Sequence, residues 1–335
     1  MRTLFILVSF WVAAGVLLGE DFPSAVIENG LIRAKLYLPD AQKGFYRASR
    51  FDWSAAIASL EYKGHNYYGP WFARVDPNVH DFGYEGDAVI ASPCAGDTGP
   101  VEEFQTNGSA LGWDEAKPGG TFIKIGVGIL RKDNKPYDFV KDYPMIDSGA
   151  WSVSKRADSI EFTQRLVDPR SGYAYVYRKT VRLLSGEPQM ILEHTLRNTG
   201  SRTIHTTVYN HNFLVLDNQP PGPDFEIMVP FQIQPGAAEG SVEARGNRLV
   251  YQRVIAGHEV AAIDAGGFSQ SVDDNEIHIE NRKVGAGMRI TCDRPLSHLA
   301  LWSIKTVLAM EPTIMMTIDP GSEFRWKMSY EYYVK

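Results

Sequence analysis

Residues 323–332 alternate apolar and polar side chains without interruption. The segment reads EFRWKMSYEY, and its apolar members are Phe324, Trp326, Met328, Tyr330 and Tyr332. Successive side chains of a β-strand point to opposite faces of its sheet, so the pattern predicts a strand with one face in a core and the other in water.

Strand-like segments of this kind recur along most of the chain. Runs rich in Val, Ile, Tyr, Phe and Thr are separated by Gly, Pro, Asn and Asp, and no long stretch has the apolar spacing of a helix. "DPRSGY" at 168–173 and "RNTGSR" at 197–202 predict hairpin turns between consecutive antiparallel strands. With 335 residues, 44% of them hydrophobic, the chain can bury a large core. We therefore expect an all-β fold, a large antiparallel β-sandwich, as one domain over 22–335.

The N-terminus has the composition of a targeting segment. Arg2 precedes an apolar run from Leu4 to Leu18, and small or polar residues follow it. This order predicts a signal peptide over 1–19 and an exported protein, periplasmic or extracellular, with no membrane segment after cleavage. The alternative is an uncleaved anchor, although the run is shorter than the ~20 apolar residues that span a bilayer.

Charge and cysteine content exclude several classes of function. The net charge is −6 and the isoelectric point is near 5.8, and the sequence has no basic stripe of the kind that a nucleic-acid partner requires. Cys94 and Cys292 do not form a C-x-x-C pair, which excludes a cysteine-based zinc site, but they could form a disulfide after export. We expect neither a metal nor a cofactor.

The segment "TVYNHNFL" at 207–214 contains a histidine in an apolar, β-branched context. If 204–214 is one strand, the period of two places Thr207, Tyr209, His211 and Phe213 on one face, where rings and hydroxyl groups suit a sugar. A histidine in a strand is also commonly a structural ring, and the pattern alone does not decide between the two.

Two segments resemble the aldose 1-epimerase, or galactose mutarotase-like, superfamily. They are "EHTLRNTGSRTIHTTVYNHNFLVLD", with an N-H-x-x-F-like element after N-T-G, and "MEPTIMMTIDPGSEFRWKMSYEYY", with a Glu, a Pro-Gly turn and an aromatic last strand. The resemblance implies a large antiparallel β-supersandwich with a sugar-binding cleft and an anomer-interconverting activity. It also implies that His211 is the general acid and Glu311 the general base. Pro312 is expected to hold Glu311 in a loop, outside a regular ladder.

One departure from the family pattern concerns a second histidine, expected upstream in an H-G motif. The chain has His65 in "KGHNYYG" and His80 in "NVHDFG", and neither matches that motif. The resemblance therefore implies the fold but does not determine the reaction.

Other residues are candidates for substrate binding. Arg50 lies among aromatic residues, and Lys124 lies in an apolar strand, where an amine is costly unless it is paired or functional. Both would suit a carboxylate-bearing sugar, and Tyr209 and Asn210 precede the candidate acid. The segment 78–120 is predicted to be a long functional loop, on which Trp113 is a stacking platform and Glu102, Glu103 and Asp114 are mainly solvated.

Three functions follow as hypotheses. The first is an aldose 1-epimerase acting on a carbohydrate. The second is a polyuronide lyase, with Arg50 or Lys124 neutralising the substrate carboxylate and His211 and Tyr209 as base and acid. The third is a carbohydrate-binding protein without catalysis. The carbohydrate partner in each case could be a mono-, oligo- or polysaccharide, including an acidic one.

Overall fold

The structure, a computed structural model, describes residues 22–335. The predicted signal peptide at 1–19 lies outside the described residues. Within 22–335, no helix is both long enough and apolar enough to cross a membrane. The same range contains no α-helix, and its helical segments are two 3₁₀ turns, Leu216–Asn218 and Val272–Asp274.

The strands are numbered in chain order. The first ten are β1 (Ser24–Glu28), β2 (Ile32–Tyr37), β3 (Ile57–Tyr62), β4 (His65–Asn66), β5 (Arg74–Val75), β6 (Phe82–Glu85), β7 (Ala88–Ala91), β8 (Gly99–Gln105), β9 (Thr121–Lys124) and β10 (Gly128–Arg131). The next eight are β11 (Met145–Asp147), β12 (Ala150–Lys155), β13 (Ser159–Asp168), β14 (Tyr173–Leu183), β15 (Gln189–Asn198), β16 (Ile204–Leu214), β17 (Phe225–Met228) and β18 (Gln234–Glu239). The rest are β19 (Val242–Arg245), β20 (Arg248–Tyr251), β21 (Ala261–Gly266), β22 (Glu276–Asn281), β23 (Ala286–Cys292), β24 (His298–Ile304), β25 (Val307–Ile318) and β26 (Glu323–Val334).

Two large antiparallel sheets dominate the fold. The ten-stranded sheet has the order β12-β13-β14-β15-β26-β23-β22-β17-β20-β19, and the six-stranded sheet has the order β18-β21-β24-β25-β16-β8. Three small sheets of three or four strands accompany them, and the one parallel pair among the described strands is β5 with β7. The predicted all-β, antiparallel architecture is confirmed.

The main core lies between the two large sheets. Trp326, Tyr330 and Tyr332 on β26 are buried, whereas Arg325 and Lys327 between them are exposed, as their alternation predicts. Phe104 on β8 packs edge-on against Trp326, with ring centroids 6.1 Å apart, and so joins the sheets. Burial of large aromatic rings on facing strands is the main stabilising contribution that this arrangement offers.

Only one of the two predicted hairpin turns joins paired strands. Asp168 pairs with Tyr173, so 168–173 is a hairpin turn between β13 and β14. The turn at 197–202 instead takes the chain from β15 in the large sheet to β16 in the six-stranded sheet. Strand β15 is already paired with β14 and β26, so neither of its edges is open to the next strand.

The segment 78–120 is less irregular than its Gly and Pro content predicts. It contains β6, β7 and β8, and β8 forms the edge of the six-stranded sheet beside β16. Both cysteines are buried and free, and they belong to separate hydrophobic clusters, so the disulfide considered above does not form in this structure. Burial raises the pKa of each thiol to about 12.

Candidate functional site

A cleft of about 850 Å³ opens on the face of the six-stranded sheet that points away from the ten-stranded sheet. Strands β16, β25, β24 and β21 supply much of its lining, and Arg50 and Asp81 border it from preceding segments. The alternation in β16 determines which side chains reach the cleft: Thr207, Tyr209, His211 and Phe213 line it. The predicted register of 204–214 is therefore confirmed.

Strand pairing brings His211 and Glu311 together. Tyr209 pairs with Thr313 and Asn212 with Met310, so the constant register of β16 and β25 sets His211 opposite Glu311. His211 Nε2 lies 3.1 Å from Glu311 Oε1. Side chains directly opposite on one face of an antiparallel pair are neighbours, which explains a contact between residues a hundred positions apart.

Glu311 lies inside a regular strand, not in the expected loop. It pairs with Ala300 on β24, and the ladder with β16 is interrupted only between the Tyr209 and Asn212 pairs. Pro312, which has no N–H to donate, falls in that interruption. The proline therefore coincides with a break in the pairing of β25 with β16, whereas the pairing of β25 with β24 is continuous.

The pKa values of His211 and Glu311 are shifted in opposite directions. Burial, and next the positive charge of Arg50, lower the pKa of His211 well below its usual value. Burial raises the pKa of Glu311 to about 7, against the lowering effect of Arg50 and with smaller contributions from the carboxylates of Glu103, Asp264 and Asp81. Below about pH 7 the pair thus holds one proton, with the imidazole neutral and the carboxyl protonated.

Aromatic rings fix the orientation of the imidazole. His211 stacks on Phe213 with ring centroids 3.9 Å apart, and Trp71 stacks on the same Phe213 at 5.6 Å. Trp302 approaches His211 edge-on at 5.6 Å. His211 is 4% exposed, and its Nδ1 has no hydrogen-bond partner among the described residues. A buried polar nitrogen without a partner is uncommon, and such atoms occur at functional sites.

Arg50 lies at the cleft, as predicted, but its charge is already paired. Its Nε donates to Glu103 Oε2 at 2.9 Å, its Nη2 donates to the hydroxyl of Tyr209 at 3.2 Å, and its Nη1 lies 3.6 Å from Asp81 Oδ1. The Tyr209 hydroxyl also donates to Glu103. Some guanidinium N–H groups are left for a ligand, but the positive charge is balanced by two carboxylates.

The expectation that Lys124 lines the cleft is not met. The residue is 1% exposed, and its Nζ donates to Glu103 Oε1 at 2.8 Å and to the hydroxyl of Tyr137 at 3.2 Å. Lys124 lies behind Glu103, and that carboxylate explains how an ammonium group is accommodated in an apolar strand. Burial would raise the pKa of Glu103, but Lys124 and Arg50 outweigh it and hold the pKa at about 2.

Asn210 and Trp113 are also displaced from the roles expected of them. Asn210 is on the opposite face of β16 from His211, where its Nδ2 donates to Glu102 Oε1 at 3.0 Å in the interior. Trp113 is 5% exposed and packs edge-on against Phe122, with centroids 4.8 Å apart. Glu102 and Glu103 are fully buried, not solvated, because β8 is part of the sheet.

Several cleft residues had not been predicted, among them Asp264, His298 and Trp302. Asp264 on β21 and His298 on β24 are paired at 3.2 Å, and Trp302 is partly exposed beside His211. The alternation of "HLALWSI" at 298–304 carried the signal, because His298, Ala300 and Trp302 share a face. No comparable signal in the sequence identified which sheet that face belongs to.

The histidines upstream of β16 do not reach the cleft. His65 Nδ1 contacts Asp217 at 2.6 Å, and His80 Nε2 contacts Asp138 at 2.9 Å, both away from the cleft. His298, from the downstream side, is the second histidine of the lining. Residues 22–335 contain no group of three or more His, Cys, Asp or Glu side chains suited to binding a metal ion.

Comparison with solved structures identifies the fold. A galactose mutarotase-like protein from Lactobacillus casei ATCC 334 aligns over 92% of this chain and 100% of its own, with a TM-score of 0.55 and 14% identity. A galactose mutarotase-like protein from Clostridium acetobutylicum aligns over 92% and 94%, with a TM-score of 0.51 and 11% identity. The GalM/aldose epimerase homologue from C. elegans aligns over 93% and 99%, with a TM-score of 0.50 and 13% identity.

These similarities establish a galactose mutarotase-like β-sandwich, in agreement with the sequence resemblance. No family model matches the chain, and no curated protein matches it in sequence. At identities of 11–14%, the likeness concerns the fold.

Proposed function

We propose that this protein is an aldose 1-epimerase that interconverts the anomers of a sugar by acid and base catalysis. The observation that carries the proposal is the 3.1 Å contact between His211 Nε2 and Glu311 Oε1 on the lining of the cleft. The likeness to solved structures described as galactose mutarotase-like supports a sugar as the ligand.

Ring opening of a cyclic sugar requires two proton transfers. Glu311, as a carboxylate, removes the proton of the C1 hydroxyl, the C1–O5 bond breaks, and His211 gives a proton to O5. The product is the open-chain aldehyde, with a protonated Glu311 and a neutral His211. After rotation about C1–C2 both transfers reverse, which closes the ring as the other anomer and restores the pair.

The proton balance of this pair suits the reaction. The free pair holds one proton below about pH 7, and moving that proton across 3.1 Å from Glu311 to His211 gives the carboxylate and imidazolium that ring opening needs. Because burial disfavours both charged groups, the resting proton lies on Glu311, and its transfer to His211 is uphill.

Arg50 and Trp302 are the proposed sugar contacts. The N–H groups of Arg50 that are not used by Glu103 and Tyr209 can donate to sugar hydroxyl groups. Trp302 is partly exposed in the lining and takes the stacking role that was expected of Trp113. Export through residues 1–19 is a further part of the proposal.

The lyase hypothesis receives less support from the cleft. A lyase must neutralise a substrate carboxylate, but Lys124 is buried behind Glu103 and the charge of Arg50 is balanced by Glu103 and Asp81. No observation favours the lyase over the epimerase. The following test distinguishes the epimerase from a sugar-binding protein without catalysis.

The test measures anomer exchange of glucose and galactose by NMR, corrected for the spontaneous rate. His211→Asn is expected to lower kcat/KM by at least about a hundredfold, the size of a lost general acid. His205→Asn is the matched control: it lies on the same face of the same strand but is exposed and bonded to Thr317, so the rate should be unchanged. Sugar binding without exchange by the unaltered protein would identify a binding protein, and equal loss in both variants would contradict the assignment.

A further inference from the structure

We propose that the cleft selects uncharged and positively charged sugars and rejects sugars that bear a carboxylate or a phosphate. This inference rests on the proposed function, because it names the class of substrate for the same site. It also replaces the expectation that Arg50 and Lys124 would recognise an acidic sugar.

The cleft lining contains few cationic side chains. Arg50 is the one Lys or Arg side chain in the cleft lining formed by the described residues. Its guanidinium is shared between Glu103 at 2.9 Å and Asp81 at 3.6 Å, so an incoming anion would compete with two carboxylates already in place. Lys124 is outside the lining, 1% exposed, with its Nζ 2.8 Å from Glu103 Oε1.

The cleft lining contains several carboxyl groups. Asp81, Glu239, Asp264 and Glu311 all belong to the cleft lining. Glu239 forms no salt bridge among the described residues. The one salt-bridge partner of Asp264 in the same range is His298, at 3.2 Å, and the Asp264 side chain is 43% exposed. Even with Glu311 protonated, the three carboxylates of Asp81, Glu239 and Asp264 outnumber the guanidinium of Arg50, in a concave site where the field of such groups is concentrated.

Strand pairing places Asp264 in line with His211 and Glu311. Asp264 pairs with Ala300, Ala300 with Glu311, and Glu311 lies opposite His211, so the four residues form one row across the sheet. Because neighbouring strands are about 4.8 Å apart, Asp264 lies roughly 10 Å from Glu311, with only the methyl group of Ala300 between them.

A pyranose with C1 at Glu311 and His211 would extend across Ala300 towards Asp264 in this row. A negative group on the sugar ring would then approach the Asp264 carboxylate, whereas a hydroxyl or an ammonium group could bond to it. The row ends at His211, which is 4% exposed and contacts Glu311 at 3.1 Å.

The experiment compares three sugars that differ only at C6: 6-amino-6-deoxyglucose, glucose and glucuronate. At low ionic strength we expect kcat/KM for glucuronate to be at least about tenfold below that for glucose, as one like charge at about 10 Å and an effective dielectric constant of about 20 implies. The amino sugar should equal or exceed glucose. Addition of 0.5 M salt should narrow the differences, because it shortens the screening length.

Two variants locate the effect. The double variant Glu239→Gln and Asp264→Asn should reduce the preference for glucose over glucuronate to within about threefold. Glu187→Gln removes one negative charge at an exposed turn between β14 and β15, outside the cleft, and should leave the preference intact. Catalysis of glucuronate as fast as glucose, or a preference unchanged in the double variant, would overturn the inference while the proposed function stands.

Binding of the same sugars is measured by saturation-transfer NMR, independently of turnover. If none is converted but glucose and the amino sugar bind better than glucuronate, the proposed function fails and the charge selection stands. Tighter binding of glucuronate overturns the selection. Absence of binding by all three sugars overturns both.

Discussion

In the described range 22–335, two contacts between a buried histidine and a glutamate lie one on each face of the six-stranded sheet. His211 and Glu311 meet on the cleft face, with side chains 5% and 21% exposed. His194 and Glu102 meet between the two large sheets, 2.8 Å apart and with no exposed side-chain surface. The two pairs share residue types and distance, but they have different surroundings.

The surroundings give the two glutamates opposite ionisation. Burial favours a protonated Glu102, but the nearby Lys179 and then His194 outweigh burial and lower the pKa of that carboxyl. Within 22–335 no ammonium group forms a salt bridge with Glu311, and burial raises its pKa to about 7. The interior pair is therefore part of a compensated charge network, whereas the cleft pair has a proton that can be exchanged near neutral pH. A histidine beside a glutamate defines a site only where access and proton state also permit chemistry.

The largest expected difference between the pairs is in catalysis. Glu311→Gln should lower kcat/KM for anomer exchange by about 10² to 10⁴, because the amide cannot accept the proton of the C1 hydroxyl. The free energy of unfolding of the Glu311→Gln variant at pH 8 should equal or exceed that of the unaltered protein. The reason is that the ionised Glu311 carboxylate is disfavoured in the folded state above its raised pKa of about 7. Rate measurements and urea titrations on the same samples test both expectations, and an unstable Glu311→Gln protein would place Glu311 among the structural residues.

Glu102→Gln should produce the reverse result. Removing this carboxylate leaves the buried Lys179 with Asp52 at 3.8 Å as its remaining salt-bridge partner, at an expected cost of about 3 kcal/mol in unfolding free energy. Glu102→Gln combined with Lys179→Met should recover part of that loss, because no unpaired ammonium group is left. The comparison fails if Glu102→Gln lowers kcat/KM as much as Glu311→Gln while the urea midpoint stays unchanged.

The smallest expected effect is the pH dependence of the cleft pair. kcat/KM should fall about tenfold per pH unit above about pH 7, because deprotonation of Glu311 leaves no proton for transfer to O5. Asp81→Asn should move this limb to lower pH, since the Asp81 carboxylate contributes to the raised pKa, while Arg50 opposes it. Polarimetry between pH 6 and 9 gives the profile, and a rate that is flat over this range would refute the one-proton requirement.

Alternation predicted one strand of the site, 204–214, and the aromatic strand of the main core, 323–332, and the structure has both as strands with the expected faces. It did not predict β25, because Glu311 had been assigned to a loop. The roles of His211 and Glu311 came from the family resemblance, and their contact depends on the register of β16 with β25, which no local pattern encodes.

Charge partners were harder to predict than strands. Lys124 was recognised as costly to bury, but its partner Glu103 was assigned to a solvated loop because β8 is flanked by Gly and Pro. Adjacent acids within a strand must face opposite sides, so Glu102 points into the core and Glu103 towards Arg50. Asp264 was missed because its significance lies in the row it shares with Ala300 and Glu311 on other strands.

The position of β26 in the ten-stranded sheet determines the order in which the molecule can be completed. The strand lies between β15 and β23, so it joins the group β12–β15 to the group formed by β17, β19, β20, β22 and β23. Until residues 323–334 leave the ribosome, those two groups have no shared partner strand, and the main core stays open along its middle. Long-range closure of this kind makes folding slow.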